Sequence, residues 1–179
     1  MSSFLIQMIG WLGMLAFLIS YQMKNNKSLF LCQVVGVSLF CLQFCLLGAF
    51  SGCLSLAITI LRGALLYKYN DWKFVRWKGL PWILCGMFAL VLIVTWAGPI
   101  SLLAFVASVV STLCYWTNNA GMIRLSNLLC ASPCWIVYDV LVGSWGGVAS
   151  ESLTILSILI SIFRFGWKSL IDKDSSFQK

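Results

Sequence analysis

The chain alternates between long apolar stretches and short polar ones. Each apolar stretch approaches the roughly 20 residues that a helix needs to cross a bilayer core of about 30 Å. Glycine, proline or charged residues mark the ends of the stretches. The pattern predicts an all-α integral membrane protein with seven transmembrane helices. The predicted helices are Phe4–Met23, Leu29–Leu47, a third that follows Gly52 and ends near Tyr69, Leu80–Ala97, Ile100–Thr117, Arg124–Val142 and Gly147–Trp167.

The polar connections and one proline add detail to this pattern. The longest internal connection, Asn70 to Gly79, carries four charges, and Trp72, Trp77 and Trp82 stand beside them. Indole rings prefer the headgroup layer, so we expect an interfacial segment there. Pro133 falls inside the sixth predicted helix, where a proline removes a backbone hydrogen bond and should produce a kink. The first helix lacks a preceding basic residue and a following cleavage site, so we predict that it is retained.

Composition indicates what surrounds these helices. Hydrophobic residues make up 61% of the 179 residues and charged residues 9%, whereas soluble domains have roughly 45–50% and 25%. The chain is therefore predicted to lie in a lipid bilayer. Its formal charge of +7 could attract nucleic acid. However, basic residues interleaved with apolar spans are typical of the cytoplasmic rim of a membrane bundle, so we predict no nucleic-acid partner.

The positions of the basic residues support the count of seven helices. With seven spans, eleven of the twelve Lys and Arg residues fall on one face of the membrane, and Arg62 alone lies within a span. Merging or losing a helix would scatter these charges over both faces. The positive-inside rule then places the amino terminus outside and the carboxyl terminus in the cytoplasm.

A fourteen-residue pattern occurs twice in the chain, 95 residues apart. GAFSGCLSLAITIL at Gly48–Leu61 returns as GSWGGVASESLTIL at Gly143–Leu156 with six identities. Repetition at a fixed offset indicates a duplicated architecture. We predict two parallel three-helix repeats joined by a linker helix, a 3+1+3 arrangement. The predicted divisions are 1–69 for the first repeat, 70–98 for the interfacial linker and the fourth helix, 99–168 for the second repeat, and 169–179 for a cytoplasmic tail.

The residue types limit the chemistry that the chain can perform. It has eight cysteines and no histidine, and no two cysteines form a CxxC pair. Histidine-based catalysis and His-containing zinc sites are therefore excluded, and the cysteine spacing argues against a redox or metal role. No motif for ATP or for another cofactor is present. We predict no cofactor and no enzymatic activity.

Parallel repeats around a midplane site are also the architecture of SWEET transporters. The chain resembles that superfamily, the PQ-loop and semiSWEET proteins, and it resembles more closely the bacterial inner-membrane family called YgjV. The closer resemblance is carried by CWIVYDVLVGSWGGVASES (Cys134–Ser152), ITILRG (Ile58–Gly63) and IFRFGWK (Ile162–Lys168). It implies a bacterial inner (plasma) membrane protein with a SWEET-like fold.

The chain departs from the superfamily at the motif that names the PQ-loop group. The Pro-Gln pair is Tyr21-Gln22 in the first repeat and Trp116-Thr117 in the second. Of the hinge prolines found in sugar-transporting relatives only Pro133 is present, and its counterpart in the first repeat is Ser38. These departures argue against a sugar as the solute.

The resemblance also implies a solute site. In SWEET-like proteins an aromatic residue on the second helix of a repeat and an asparagine on the third helix face the solute. At the same spacing of sixteen residues, this chain has Trp135 with Glu151 and Phe40 with Leu56. A carboxylate in a cavity would favour a cation, a hydrogen-bond donor or a proton. The alternative is that Glu151 is an acid at a helix start near the outer surface, stabilised by the helix dipole and water.

Two further charges belong to this candidate site. Arg62 lies well within the third helix, where an unpaired charge is costly. We expect it to meet Glu151, Asp139 or an anionic ligand, unless it snorkels to the cytoplasmic side. Asp139 is one turn beyond Trp135 and either shares its face or lies in water at the outer end. The remaining polar candidates are Tyr138 and Asn127, together with Ser55, Thr59, Ser150 and Thr154, for which helix packing is the competing role.

These features predict a transporter or facilitator of a small polar solute that works by alternating access. Trp135 and Phe40 would form its walls, and Glu151, Asp139 and Arg62 its polar determinants. Glu151 would carry the proton if uptake is coupled to protons. The alternative is a non-transporting scaffold or assembly protein with the same fold, which a sealed core would favour. A second copy of the chain is a candidate partner in either case.

Overall fold

The computed structural model describes residues 3–22, 26–68, 72–117 and 119–165. Within these ranges every long element is a helix and no strand occurs. The predicted all-helical class and the seven helices are confirmed for the described residues, whereas the predicted tail 169–179 lies outside them. The helices are α1 (Ser3–Gln22), α2 (Asn26–Leu46), α3 (Phe50–Tyr67), α4 (Leu80–Val94), α5 (Ile100–Trp116), α6 in three consecutive segments (Ala120–Ser126, Asn127–Ala131 and Ser132–Val142) and α7 (Trp145–Phe165).

Local capping explains the largest difference between predicted and observed helix ends. α6 begins at Ala120, four residues before the predicted start at Arg124. Asn119 causes this, because its side-chain oxygen accepts hydrogen bonds from the backbone N–H groups of Gly121 (2.9 Å) and Met122 (3.3 Å) and so caps the helix. The other ends lie within three residues of their predicted positions.

The two ends of the bundle differ in their connections. Three connections, 47–49, 95–99 and 143–144, contain a glycine with positive φ and no Lys or Arg. Glycine adopts this backbone conformation without the steric cost that other residues meet. We call this end the glycine face. The opposite end, the basic face, is defined by Lys68, Lys73, Arg76, Lys78 and Arg124.

The two copies of the repeated pattern form the same turn. In the first, the Ala49 N–H donates to the Phe44 carbonyl (2.9 Å); in the second, the Ser144 N–H donates to the Asp139 carbonyl (2.8 Å). Both atoms of the second bond lie 95 residues beyond those of the first. Gly48 and Gly143 make the turns, with φ of +75° and +81°. The second glycine of each pattern lies inside the following helix rather than in the turn.

Six helices surround the centre of the bundle. In the order α1, α2, α3, α5, α6 and α7 each helix contacts the next, and α7 contacts α1. α4 packs against α3 and α5. The inward faces of the six helices therefore share one central space.

The polarity of the bundle is suited to lipid. Large apolar side chains such as Phe163, Ile93 and Leu90 are exposed on its surface, whereas Gln43 and Arg62 are buried. In a bilayer this arrangement places apolar groups against lipid and lets helices contact through small and polar residues. By length and composition, three described helices could cross a membrane: Phe50–Tyr67, Gly121–Val142 and Trp145–Arg164. Four shorter apolar helices accompany them.

The segment between α3 and α4 returns the chain along the basic face. Residues Lys73–Arg76 form a short 3-10 turn. The side chain of Val75 in this turn is buried, and its carbonyl accepts a hydrogen bond from Trp116 Nε1 (3.2 Å). Trp72, Trp77 and Trp82 are exposed beside the charges, as expected for indoles at the headgroup level.

Pro133 distorts α6 in a specific way. The five residues Asn127–Ala131 form a π turn immediately before the segment that contains this proline. The Ser132 N–H bonds to the Asn127 carbonyl, five residues back. A π turn inside a helix re-aims the side chains that follow it. The predicted irregularity at Pro133 is thus present as a widened turn on its amino-terminal side.

Candidate functional site

A cavity of about 230 Å³ lies at the centre of the bundle, lined by residues of α1, α2, α3, α5, α6 and α7. A water molecule takes a share of about 30 Å³ in the liquid, so the cavity is large enough for a small solute. Its lining extends to Leu66 and Tyr115 near the basic face, and at the glycine face it ends near Gly147. Six of the seven residues predicted for the solute site line it: Arg62, Phe40, Asn127, Trp135, Asp139 and Glu151.

Aromatic rings form the apolar wall of the cavity. Trp135 stacks on Phe44, with ring centroids 6.1 Å apart and an angle of 14° between the planes. Phe40 packs against Phe17 at 6.0 Å. Phe40 and Trp135 belong to α2 and α6, so the predicted aromatic residues lie on two different helices around the cavity.

Arg62 is buried at the cavity wall, with 8% of its surface exposed, and does not snorkel to the basic face. Its Nη1 donates a hydrogen bond to Thr112 Oγ1 (3.0 Å), and its guanidinium lies over the Tyr115 ring, 4.7 Å from the centroid. A cation over an aromatic face is stabilised by the ring quadrupole. Among the described residues, the structure records no ion pair between Arg62 and either carboxylate of the cavity. The expectation that Arg62 meets Asp139 or Glu151 directly is therefore wrong.

Asp139 and Glu151 form an acidic pair at the other end of the cavity. Asp139 is 3% exposed, and its Oδ1 is buried without a hydrogen-bond partner. Its carboxyl group lies within electrostatic reach of Glu151. Glu151 is partly exposed. Asp139 therefore does not lie in water at the outer end.

Gly147 allows the Asp139 carboxyl group to reach this position. A Cβ on Gly147 would lie 2.6 Å from the carboxyl carbon of Asp139, so the carboxyl group would have to move to admit it. The second glycine of the other copy, Gly52, has the same role for a different side chain. A Cβ there would lie 2.6 Å from the Tyr138 hydroxyl. The repeated glycines are thus positions of close contact with consecutive residues of α6.

Tyr138 lies outside the cavity lining, contrary to the expectation that it faces the solute. Its hydroxyl accepts a hydrogen bond from the Gly52 N–H (2.8 Å) and forms another with Ser51 Oγ (3.0 Å). Both partners are in the first turn of α3. The ring packs edge-on against Phe44 and Trp135. The Tyr138 hydroxyl is therefore committed to holding α6 against α3.

Gln43 stands 95 residues before Tyr138 and, like Tyr138, bonds to the amino-terminal end of another helix. It is fully buried, and its Oε1 accepts a hydrogen bond from Ser144 Oγ (3.0 Å) at the start of α7. Gln7 of α1 adds a bond to the Gly143 carbonyl (2.6 Å). We call Gln7, Gln43, Ser51, Tyr138 and Ser144 the polar seal. It lies at the glycine face, beyond the end of the cavity.

Several cavity residues were not predicted from the sequence. Ser108, Ser111 and Tyr115 line the cavity from one side of α5 at helical spacing, and this polar stripe within an apolar helix is the signal that could have identified them. The hydroxyls of Thr59 and Thr154, which are predicted as polar candidates, bond to the carbonyls four residues back, at 2.9 Å and 3.0 Å. Both threonines line the cavity, but their hydroxyl protons are already used within their own helices.

Comparison with known proteins gives one match. The family model Imp-YgjV, described as a bacterial inner membrane protein, matches residues 4–169 of the chain. That range contains nearly all of the seven helices. No curated protein and no solved structure matches the chain. The likeness to SWEET transporters stays a prediction.

Proposed function

Since the chain belongs to the Imp-YgjV family of bacterial inner membrane proteins, we propose that it is a transporter or facilitator that moves a small polar solute by alternating access. The observation that carries this proposal is the central cavity, which contains Trp135, Arg62 and Glu151 together. Charged groups inside a membrane protein are costly, and they occur where a substrate or ion pathway needs them.

The scaffold alternative receives less support from the same observation. A protein that only holds partners together gains nothing from a cavity that contains an arginine and two acids without pairing them. A sealed core would instead have locked Arg62 to one carboxylate. Its guanidinium is bonded to Thr112, a neutral residue.

The proposed architecture is two like-oriented repeats, α1 to α3 and α5 to α7, with α4 as the linker. Two kinds of observation support this 3+1+3 arrangement. The glycine turns have matching hydrogen bonds, and contacts between α1 and α2, α2 and α3, and α3 and α5 have counterparts between α5 and α6, α6 and α7, and α7 and α1. In such proteins the solute site lies between the repeats, which rock about it.

The lining of the cavity also suggests how transport could be coupled to protons. Its titratable groups are Arg62 from α3, Tyr115 from α5, Asp139 from α6 and Glu151 from α7. Glu151 is the acid that the cavity leaves partly exposed, so it is the proposed proton carrier. Glu151→Gln should therefore abolish the effect of an imposed pH gradient on uptake, and uptake that stays sensitive to the gradient would remove Glu151 from this role.

A pair of tryptophan substitutions tests transport itself. Ser150 lines the cavity, whereas Ser152, two residues along the same helix, is exposed on the outside. In proteoliposomes loaded against a mixture of small polar metabolites, the native chain and Ser152→Trp should take up at least one compound that empty liposomes exclude. Ser150→Trp should fill the cavity and reduce that uptake to background. Equal uptake by native protein and empty liposomes would contradict the proposal.

A further inference from the structure

The cavity carries opposite charges that the protein does not pair with each other, and we infer that its solute is a small zwitterion whose anionic end binds Arg62 and whose cationic end binds Asp139 and Glu151. This inference rests on the proposed function, because it names the solute class for the same site. It adds a requirement for both charges on one molecule, which transport alone does not demand.

The arginine end of the cavity has unused hydrogen-bonding capacity. A guanidinium has five N–H donors, and the structure records one hydrogen bond for Arg62, to Thr112. Ser108 lies one helical turn before Thr112, lines the same cavity, and has a buried Oγ without a hydrogen-bond partner. A carboxylate supplies acceptors for both groups, and charge-assisted bonds from arginine are the strongest available to it.

The acidic end of the cavity lacks a hydrogen-bond donor and a cation. Asp139 Oδ1 is buried without a donor, and the second carboxylate, Glu151, lies nearby without a cation. Two neighbouring carboxylates in a site of low polarity need a proton or a cation between them. An ammonium group has three N–H donors and no acceptor, so it supplies the donors and the positive charge that these two acids lack.

The two charged ends lie at different depths in the cavity. Arg62 is ten residues beyond Gly52 on α3, and Glu151 is four residues beyond Gly147 on α7. At about 1.5 Å per residue, these steps are roughly 15 Å and 6 Å. The two glycines serve as a common starting level, because consecutive residues of α6, Tyr138 and Asp139, contact them. The backbone at Arg62 therefore lies roughly 9 Å further towards the basic face than the backbone at Glu151.

Solutes of other charge types leave part of the site unpaired. An anion leaves the two carboxylates without a donor, a cation leaves Arg62 without an acceptor, and a neutral solute leaves both. An uncompensated buried charge is strongly unfavourable. A zwitterion pairs each end and adds no net charge, and one proton held by the acidic pair then makes the loaded site neutral.

Binding to the purified chain in nanodiscs tests this inference with small probes that differ in charge. The zwitterions are 4-aminobutyrate and L-alanine; the controls are n-butylamine, butyrate and butyramide, which carry one charge or none. By isothermal titration, one of the zwitterions should bind about tenfold or more tightly than every control. Arg62→Gln and Asp139→Asn should each weaken that binding by about tenfold or more. Arg76→Gln, which removes an exposed cation outside the cavity, should leave it unchanged.

The pattern of selectivity separates a charge contact from a folding defect. Arg62→Gln should bind n-butylamine as tightly as 4-aminobutyrate, and Asp139→Asn should bind butyrate as tightly as 4-aminobutyrate. A control that binds most tightly, variants that leave the selectivity unchanged, or no binding by any probe would each overturn the inference. Flux of a different solute class in proteoliposomes would support the transport proposal and contradict the zwitterion as its solute. Zwitterion binding without flux of any solute would support the zwitterion site and contradict the transport proposal.

Discussion

At the scale of residues, α6 places two consecutive polar side chains against two repeated glycines. Tyr138 occupies the space beside Gly52, and Asp139 occupies the space beside Gly147. The sequence predicts that both glycines matter, because they recur at the offset of 95. It does not predict what fills the space beside them. That depends on the rotation of α6, which is set by packing across three helices.

Gly147→Ala should destabilise the protein because its Cβ would overlap the Asp139 carboxyl group. Overpacking of this kind costs about 1–3 kcal/mol, measured as a lower melting temperature in detergent. Gly86→Ala is the matched control, since a Cβ there meets no atom within 4 Å, and it should be neutral or slightly stabilising.

A double substitution identifies the cause of that effect. If the carboxyl group is what the new methyl meets, Asp139→Ala should remove most of the penalty of Gly147→Ala, so the two changes should not be additive. Additive losses would mean that the methyl group disturbs some other contact.

At the scale of elements, the polar seal joins helices of one proposed repeat to helices of the other. Tyr138 of α6 bonds to the start of α3, and Gln43 of α2 bonds to the turn before α7. Side chains of each half thus bond to the other half at the glycine face, and Gln7 of α1 adds a second such bond from the first half. If access alternates as proposed, opening of the cavity towards the glycine face requires these bonds to break.

Tyr138→Phe should lower stability modestly, because it leaves the Gly52 N–H and the Ser51 hydroxyl without their shared partner. Side-chain hydrogen bonds in a membrane protein contribute about 0.6 kcal/mol on average, with a maximum of about 1.7 kcal/mol. Ser152→Ala is the comparison, since that exposed hydroxyl bonds only to the Val148 carbonyl of its own helix. Unfolding in increasing denaturant should separate the two variants, and equal midpoints would show that the seal contributes nothing.

At the scale of the whole molecule, the distribution of basic residues sets the expected orientation in the membrane. The described connections at the glycine face contain no Lys or Arg, and those at the basic face contain several. The positive-inside rule then places the basic face in the cytoplasm. In that orientation the cavity lining reaches towards the cytoplasm, and the polar seal closes the external side.

Cysteine labelling tests this orientation. In a chain whose native cysteines are replaced, Ala97→Cys at the glycine face should react with an impermeant maleimide on intact spheroplasts. Lys78→Cys at the basic face should react only after permeabilisation. Both positions are exposed, so a difference in reactivity reports the side of the membrane. The reverse pattern would invert the proposed orientation.

Hydrophobic periodicity and turn residues predict the helices and the glycine turns because those features depend on local sequence. Six of the seven residues predicted for the solute site line the cavity. Phe40, Trp135 and Glu151 are predicted from the spacing that the resemblance implies, and Arg62 from its charge within a span. The missing ion pair of Arg62 could not be predicted in this way. It depends on how far α3 and α7 are displaced along their axes, and on Thr112 of α5 being nearer than either acid.

The widened turn of α6 has a consequence for how this chain tolerates length changes. A π turn accommodates one more residue than a regular α-helical turn, and one residue corresponds to about 100° of rotation about the axis. Because the extra residue is absorbed within that turn, deleting a single amino acid within Asn127–Ala131 would restore regular winding and leave the indole of Trp135 and the acid of Asp139 facing the interior. A single deletion within the regular segment Ser132–Val142 has no such turn to absorb it, and it would rotate the residues on its two sides by about 100° relative to each other. The lining of the cavity should therefore tolerate a change of length in the π turn and not in the segment that follows it.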